Sequence, residues 1–118
     1  MAKQSRVPRP IRKVEYEIFF ASKHAERGWQ DLKATTLNTL ATAWDFLTRT
    51  PQERSEKCHE MKAELAHIKR EDADHERWQY ELPGGARIWY WVVAPSKSKP
   101  GQVWLEQVHT RHPNETKQ

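Results

Sequence analysis

Arg87 opens the run Arg87-Ile88-Trp89-Tyr90-Trp91-Val92-Val93. A guanidinium there stays charged and matches phosphate oxygens two at a time. The two-residue period of an extended chain puts Arg87 on one face with Trp89 and Trp91, opposite Ile88, Tyr90 and Val92. Two large aromatics beside a cation can stack nucleobases at about 1–3 kcal/mol each, although such residues more often form core under a loop or tail. Arg87 itself has a plainer alternative, a salt bridge at the sheet edge. Arg77 lies on the polar face of its own segment, either close to Arg87 across a meander or simply solvated. His109 and His112 are of the type that gives up or takes a proton near neutral pH. Their competing roles are a hydrogen-bonded histidine at a strand end and a solvated tail residue. Lys69, Arg70 and Arg111 offer phosphate contacts or a merely charged surface.

Other chemistries fit poorly. His109-x-x-His112, or Cys58-His59 with His67 or His75, lacks the tight ligand pairs of zinc sites, so no metal and no cofactor are expected. No glycine-rich phosphate loop occurs, and no Ser/His/Asp order suggests another kind of hydrolase.

The elements that must position these residues follow from periodicity. Val14, Tyr16 and Ile18 alternate with Glu15 and Glu17 ahead of Phe19-Phe20, which predicts a first strand. Ser22 offers an N-cap for a helix whose inner face carries Ala25, Trp29 and Leu32. Leu37, Leu40, Trp44 and Leu47 share the face of a second helix, either separate or continuous with the first, stopped at Thr50-Pro51. Residues 52–64 are mostly charged and read as a loop with at most one helical turn. Segments 66–70 and 76–82 flank Glu71-Asp72-Ala73-Asp74, which reads as a hairpin turn. In the second segment Trp78, Tyr80 and Leu82 oppose Arg77, Gln79 and Glu81. Pro83-Gly84-Gly85 turns the chain into the aromatic run 87–93, the expected central strand, and a loop over 95–101 leads to a last strand over 102–110. The reading is an α+β domain: an N-terminal strand and two helices packed on a mostly antiparallel four- or five-stranded sheet.

With 118 residues there is room for one core. A mean hydropathy of -1.00 would suggest disorder were it not for six Trp, three Tyr and three Phe. Lys3, Arg6, Arg9, Arg12 and Lys13 account for the net charge of +4, because the other 15 Lys and Arg face 16 Asp and Glu. Residues 1–13, with Pro8 and Pro10, therefore read as a basic flexible arm, and 14–118 as a single domain. One cysteine and the lack of an apolar span or leader point to a reducing, cytoplasmic setting with no membrane contact.

Three stretches in this order and spacing carry a family resemblance: Ala43-Trp44-Asp45-Phe46-Leu47-Thr48-Arg49-Thr50-Pro51, Ala86-Arg87-Ile88-Trp89-Tyr90, and Val108-His109-Thr110-Arg111-His112-Pro113-Asn114-Glu115-Thr116-Lys117. Over most of residues 14–117 the chain resembles the RelE/ParE superfamily, the toxins of type II toxin–antitoxin pairs. The resemblance implies a ribosome-dependent mRNA endonuclease with Arg87 near the scissile phosphate, His112 as the acid for the leaving oxygen, and a general base among His59, Glu60 and Lys62. Pro113 stands where relatives often carry an aromatic, so stacking on the substrate base must come from elsewhere or be absent. Implied partners are a cognate antitoxin, the ribosome and mRNA, with a homodimer or toxin–antitoxin hetero-oligomer as the assembly. Because fold does not choose function, two other members fit the same resemblance: a non-enzymatic ParE-like inhibitor of DNA gyrase, and a catalytically silent binder of RNA or antitoxin.

Overall fold

A computed structural model describes residues 5, 7–8, 15–70 and 72–111. Most of the expected arm 1–13, and His112 with the rest of the tail, lie outside the described residues. Strand β1 (Glu17–Phe20) leads into helices α1 (Lys23–Thr35) and α2 (Leu37–Arg49). Then come β2 (Cys58–Glu60), β3 (His67–Arg70), β4 (Ala73–Glu76), β5 (Trp78–Glu81), β6 (Arg87–Val93) and β7 (Gln102–His109). Five strands form a mixed sheet in the order β1-β7-β6-β5-β2, in which only β1 and β7 run parallel, while β3 and β4 make a separate hairpin. The α+β reading holds at this level. No helix among the described residues is long and apolar enough to cross a membrane.

Local chemistry explains the elements. The Ser22 hydroxyl caps α1 by accepting the Ala25 N–H at 3.0 Å, and it donates to the Glu106 carbonyl at 2.7 Å, which ties the helix start to β7. Thr36 leaves helical geometry between the helices, so they are separate rather than continuous. Thr50 closes α2 ahead of Pro51, whose carbonyl accepts the Tyr90 hydroxyl at 2.6 Å. Tyr90 and Cys58, 3.2 Å apart, are buried, and burial pushes both the phenol and the thiol up, so both stay neutral. The core lies between the helices and one sheet face: Leu32, Leu40, Ala43 and Leu47 meet Trp78, Leu82, Ile88, Tyr90, Val103, Leu105 and Val108. Of the helix residues expected inside, Leu37 is largely outside at 57% exposure, and Trp44, at 40%, is only partly covered, its ring edge-on to Trp29 at 6.3 Å.

Three expectations are corrected. Strand β1 begins at Glu17, so that Glu15 and Tyr16, expected within it, precede it; the Tyr16 N–H is taken by the Thr48 carbonyl at 2.8 Å. The charged stretch 52–64, read as a loop, holds the edge strand β2 beside β5, followed by a short 3-10 turn at Ala63–Leu65. Three residues are too few to show a period; Cys58, buried under Tyr90, is what anchors them. The hairpin turn is also tighter than expected. Ala73 and Asp74 pair with Arg70 and Lys69, and Asp72 sits in the left-handed region at φ 66, which aspartate tolerates. The segment 76–82 is consequently divided at Arg77, whose N–H goes to the Ala66 carbonyl and whose carbonyl accepts the Met61 N–H, both at 2.8 Å.

Helix α1 rides on β7 at Gly28. A Cβ there would fall well inside contact distance of the Val108 carbonyl oxygen and 2.8 Å from the Val108 Cβ. Gly28→Ala, which favours an exposed helix by about 1 kcal/mol, should therefore destabilise this protein by about 1–3 kcal/mol, the usual cost of overpacking. Urea denaturation read by circular dichroism should show a lower midpoint; an unchanged or higher midpoint contradicts the close approach.

Candidate functional site

The sheet face turned away from the helices collects most of the candidate residues. Register fixes their rows: Glu81, Arg87 and His109 lie side by side across β5, β6 and β7, and His59, Gln79, Trp89 and Gln107 form the next row across β2, β5, β6 and β7. Directly opposed residues on antiparallel strands hold their Cβ atoms about 4.5–5.5 Å apart, so Arg87 and His109 are immediate neighbours. The Arg87 side chain is 12% exposed, and its Nη1 donates to the Glu81 carboxylate and the Gly85 carbonyl, both at 3.2 Å. The edge salt bridge is thus present. It engages one of the three guanidinium nitrogens, and Nε and Nη2 have no further partner among the described residues.

His109 packs edge-on against Trp89 at 4.7 Å and against His24 at 5.3 Å, and the Trp89 indole donates to the Gln79 side chain at 2.9 Å. Trp89 and Trp91 are each 5% exposed. They are core-like on this second face rather than open stacking platforms, because the β3–β4 hairpin and its approach cover them.

Arg77 departs furthest from expectation. Instead of joining Arg87 it lies near the other end of the strand pair, one residue before Trp78, which faces Tyr90, whereas Arg87 faces Glu81. Its guanidinium is 10% exposed and forms a two-pronged bond with Glu106 at 2.7 and 2.8 Å, donates to the Leu65 carbonyl at 2.9 Å, and lies 6.0 Å over the Trp89 ring. Glu106 faces Arg77 because a bulge interrupts the β6–β7 register: Trp89 pairs with Gln107 and Tyr90 with Leu105, leaving Glu106 as the extra residue.

The three candidates for the general base separate. His59 shares the row of Trp89, two strands away, roughly 10 Å at ordinary strand spacing. Glu60 pairs with Trp78 and so faces the helix side, where Arg54 binds its carboxylate with two prongs. That hydrogen-bonded guanidinium holds the Glu60 carboxyl down to about 2. Glu60 thus lies on the opposite face of the sheet from Arg87, with its carboxylate held by Arg54. Lys62 is exposed just after β2. Lys69 and Arg70 are exposed on β3, and Arg111 is exposed beyond the end of β7.

Sequence reasoning missed the second aromatic group on this face. Phe19, Trp104, Trp91 and His75 stack in series at 4.7, 6.2 and 5.6 Å, and Arg70 lies 5.6 Å over Trp91. The alternation of Val103, Trp104 and Leu105 carried the signal for Trp104, but Phe19 and His75 join it only through the β1–β7 pairing and the docked hairpin. Among the described residues no group of three or more His, Cys, Asp or Glu side chains could hold a metal. Comparison with family models, with curated proteins and with solved structures finds no match to this chain.

The Arg77–Glu106 pair makes Arg77 a structural residue. Leaving one member of a buried ion pair without the other costs about 3–5 kcal/mol. Arg77→Ala should therefore lower the thermal midpoint sharply, and Arg77→Met with Glu106→Leu should recover part of it. An Arg77→Ala protein that melts like the wild type would show that the pair holds nothing together.

Proposed function

We propose that this chain is a toxin of the RelE/ParE kind that cleaves messenger RNA on the ribosome, by metal-independent acid–base chemistry on the sheet face opposite the helices. The observation that carries the proposal is the register pair Arg87–His109: a cation with donors left over among the described residues, set beside the strand end from which the histidine-bearing terminus departs. The element order β1-α1-α2 followed by antiparallel strands agrees with the RelE-like fold that the resemblance implies.

In this scheme the 2′-hydroxyl of one nucleotide attacks the adjacent phosphorus as a base removes its proton. The Nε and Nη2 donors of Arg87 neutralise the charge that builds on the phosphorane oxygens. Glu81, through Nη1, keeps the guanidinium plane aimed across the face, a positioning role. His112, three residues after His109 and outside the described residues, protonates the departing 5′-oxygen. The products are a 2′,3′-cyclic phosphate and a 5′-hydroxyl. With Glu60 set aside, His59 and Lys62 are the residues offered as base, and His59 is on the correct face. An antitoxin covering the Arg87 face would silence the protein in resting cells.

The test is ribosome-dependent cleavage of a message, read by primer extension. Arg87→Ala should abolish cleavage with an unchanged circular dichroism spectrum, and Arg87→Lys should restore it only in part, because an ammonium lacks the two-pronged fork. His112→Gln should slow single-turnover cleavage by about 10²-fold, in the range for losing a general acid. Wild-type rates in Arg87→Ala would remove the clamp. DNA breaks dependent on gyrase, without RNA cleavage, would make this a gyrase inhibitor instead.

A further inference from the structure

We infer that the cleft between the β3–β4 hairpin and the sheet is a base-binding subsite for single-stranded RNA, separate from the Arg87 end. The inference rests on reading this sheet face as an RNA surface. The cleft encloses about 430 Å³ and is lined by Arg70, Ala73 and His75 from the hairpin and by Trp91, Gln102 and Trp104 from the sheet, with Phe20-Ala21 at its rim. It is large enough for a nucleobase with part of its sugar, and its lining combines three recognition chemistries.

Apolar contact comes from the indole edges of Trp91 and Trp104, which stand nearly parallel, 11° apart, as a wall. Their faces are already occupied, by Phe19 on one side and His75 on the other. A base entering the cleft therefore packs along the wall without prising the rings apart, and little has to rearrange. Charge comes from Arg70. Its guanidinium is exposed, bonds the Lys69 carbonyl at 3.0 Å, and has no carboxylate partner among the described residues. Held over Trp91, it stands where the phosphate of a base in the cleft would lie. Selectivity comes from Gln102. Indole N–H only donates, so the 2.9 Å bond from Trp104 fixes the Gln102 oxygen as acceptor and leaves its amide N–H groups as donors to the acceptor edge of a base.

Position favours RNA as the occupant. Trp91 is four residues from Arg87 on β6, about 13 Å along the strand, on the same face. An RNA strand at the Arg87–His109 pair therefore lies within reach of the cleft, around the covered Trp89. Such a subsite reads the identity of a nucleotide away from the cut and gives the enzyme a sequence preference that the Arg87 end, built for phosphate, does not supply.

Binding of short fluorescent oligoadenylate, oligouridylate and oligocytidylate, read by anisotropy, tests the subsite in the Arg87→Ala protein, which should not cut its ligand. Arg70→Gln should weaken binding of all three by about fivefold or more, and Gln102→Ala should change their relative affinities. RNA carrying 4-thiouridine should crosslink under ultraviolet light to the peptide holding Trp104 or Trp91, less so in Arg70→Gln. Arg70 is exposed, so a folded variant is expected and is checked by circular dichroism. Crosslinks confined to the Arg87–His109 end, or unaltered affinities in both variants, overturn the subsite whatever the wild type does to ribosomal messages. Failure of wild-type cleavage with crosslinks at Trp104 overturns the nuclease reading and leaves the subsite standing.

Discussion

The two-pronged ion pair between Arg77 and Glu106 joins the start of β5 to the bulge of β7. Glu106 is the bulge residue of β7, and its backbone carbonyl accepts the Ser22 hydroxyl from the start of α1. Arg77 stands where the hairpin hands the chain to β5, and its side chain and backbone hold the Leu65 and Ala66 carbonyls and the Met61 N–H. One acidic residue therefore connects the helix layer, the sheet and the covering loop. A buried pair of charges contributes little over a hydrophobic substitute of the same shape. Its value here is geometric, since two parallel N–H···O bonds allow a single orientation of hairpin on sheet.

That orientation explains why the second face of the sheet is buried at its middle and open at its two ends. The helix-bearing face is closed by Leu, Val, Ile and Tyr packing. On the other face the hairpin and its approach bury Trp89 and Trp91, leaving Arg87 and His109 at one end and the Arg70–Trp104 cleft at the other. The salt bridge from Glu81 holds Arg87 without neutralising every donor it has. A fully exposed arginine would be mobile, and one paired as Arg77 is would have nothing left to offer a ligand.

Much of this was legible from residue order. Ser22 as a cap, Thr50-Pro51 as a stop, the aromatic run of β6 and the facing of Arg87 with Trp89 and Trp91 all follow from local periodicity, which a single element expresses in full. The bulge at Glu106 was not legible, because an extra residue appears only when two strands are laid in register. The fate of Arg77 depended on that bulge, and a residue on a polar face read either as a neighbour of Arg87 or as solvated. Strand β2 was hidden because one buried cysteine among charged neighbours has no pattern. His59 and Glu60 entered together as candidate bases because the resemblance points to their segment, but adjacent strand residues point to opposite faces.

The parallel pairing of β1 with β7 has a consequence for how the chain reaches this state. These two strands lie at opposite ends of the described chain, so a long stretch must emerge before the first strand finds its neighbour. Contacts of such sequence separation are slow to form because the closure entropy of the intervening loop is spent before they return anything. During synthesis the early strand and helices have no sheet to rest on, and the Arg87–His109 pair is complete only once β7 is laid down. The face that carries Arg87 and His109 therefore cannot be complete before β7, the last strand of the described chain, has been made.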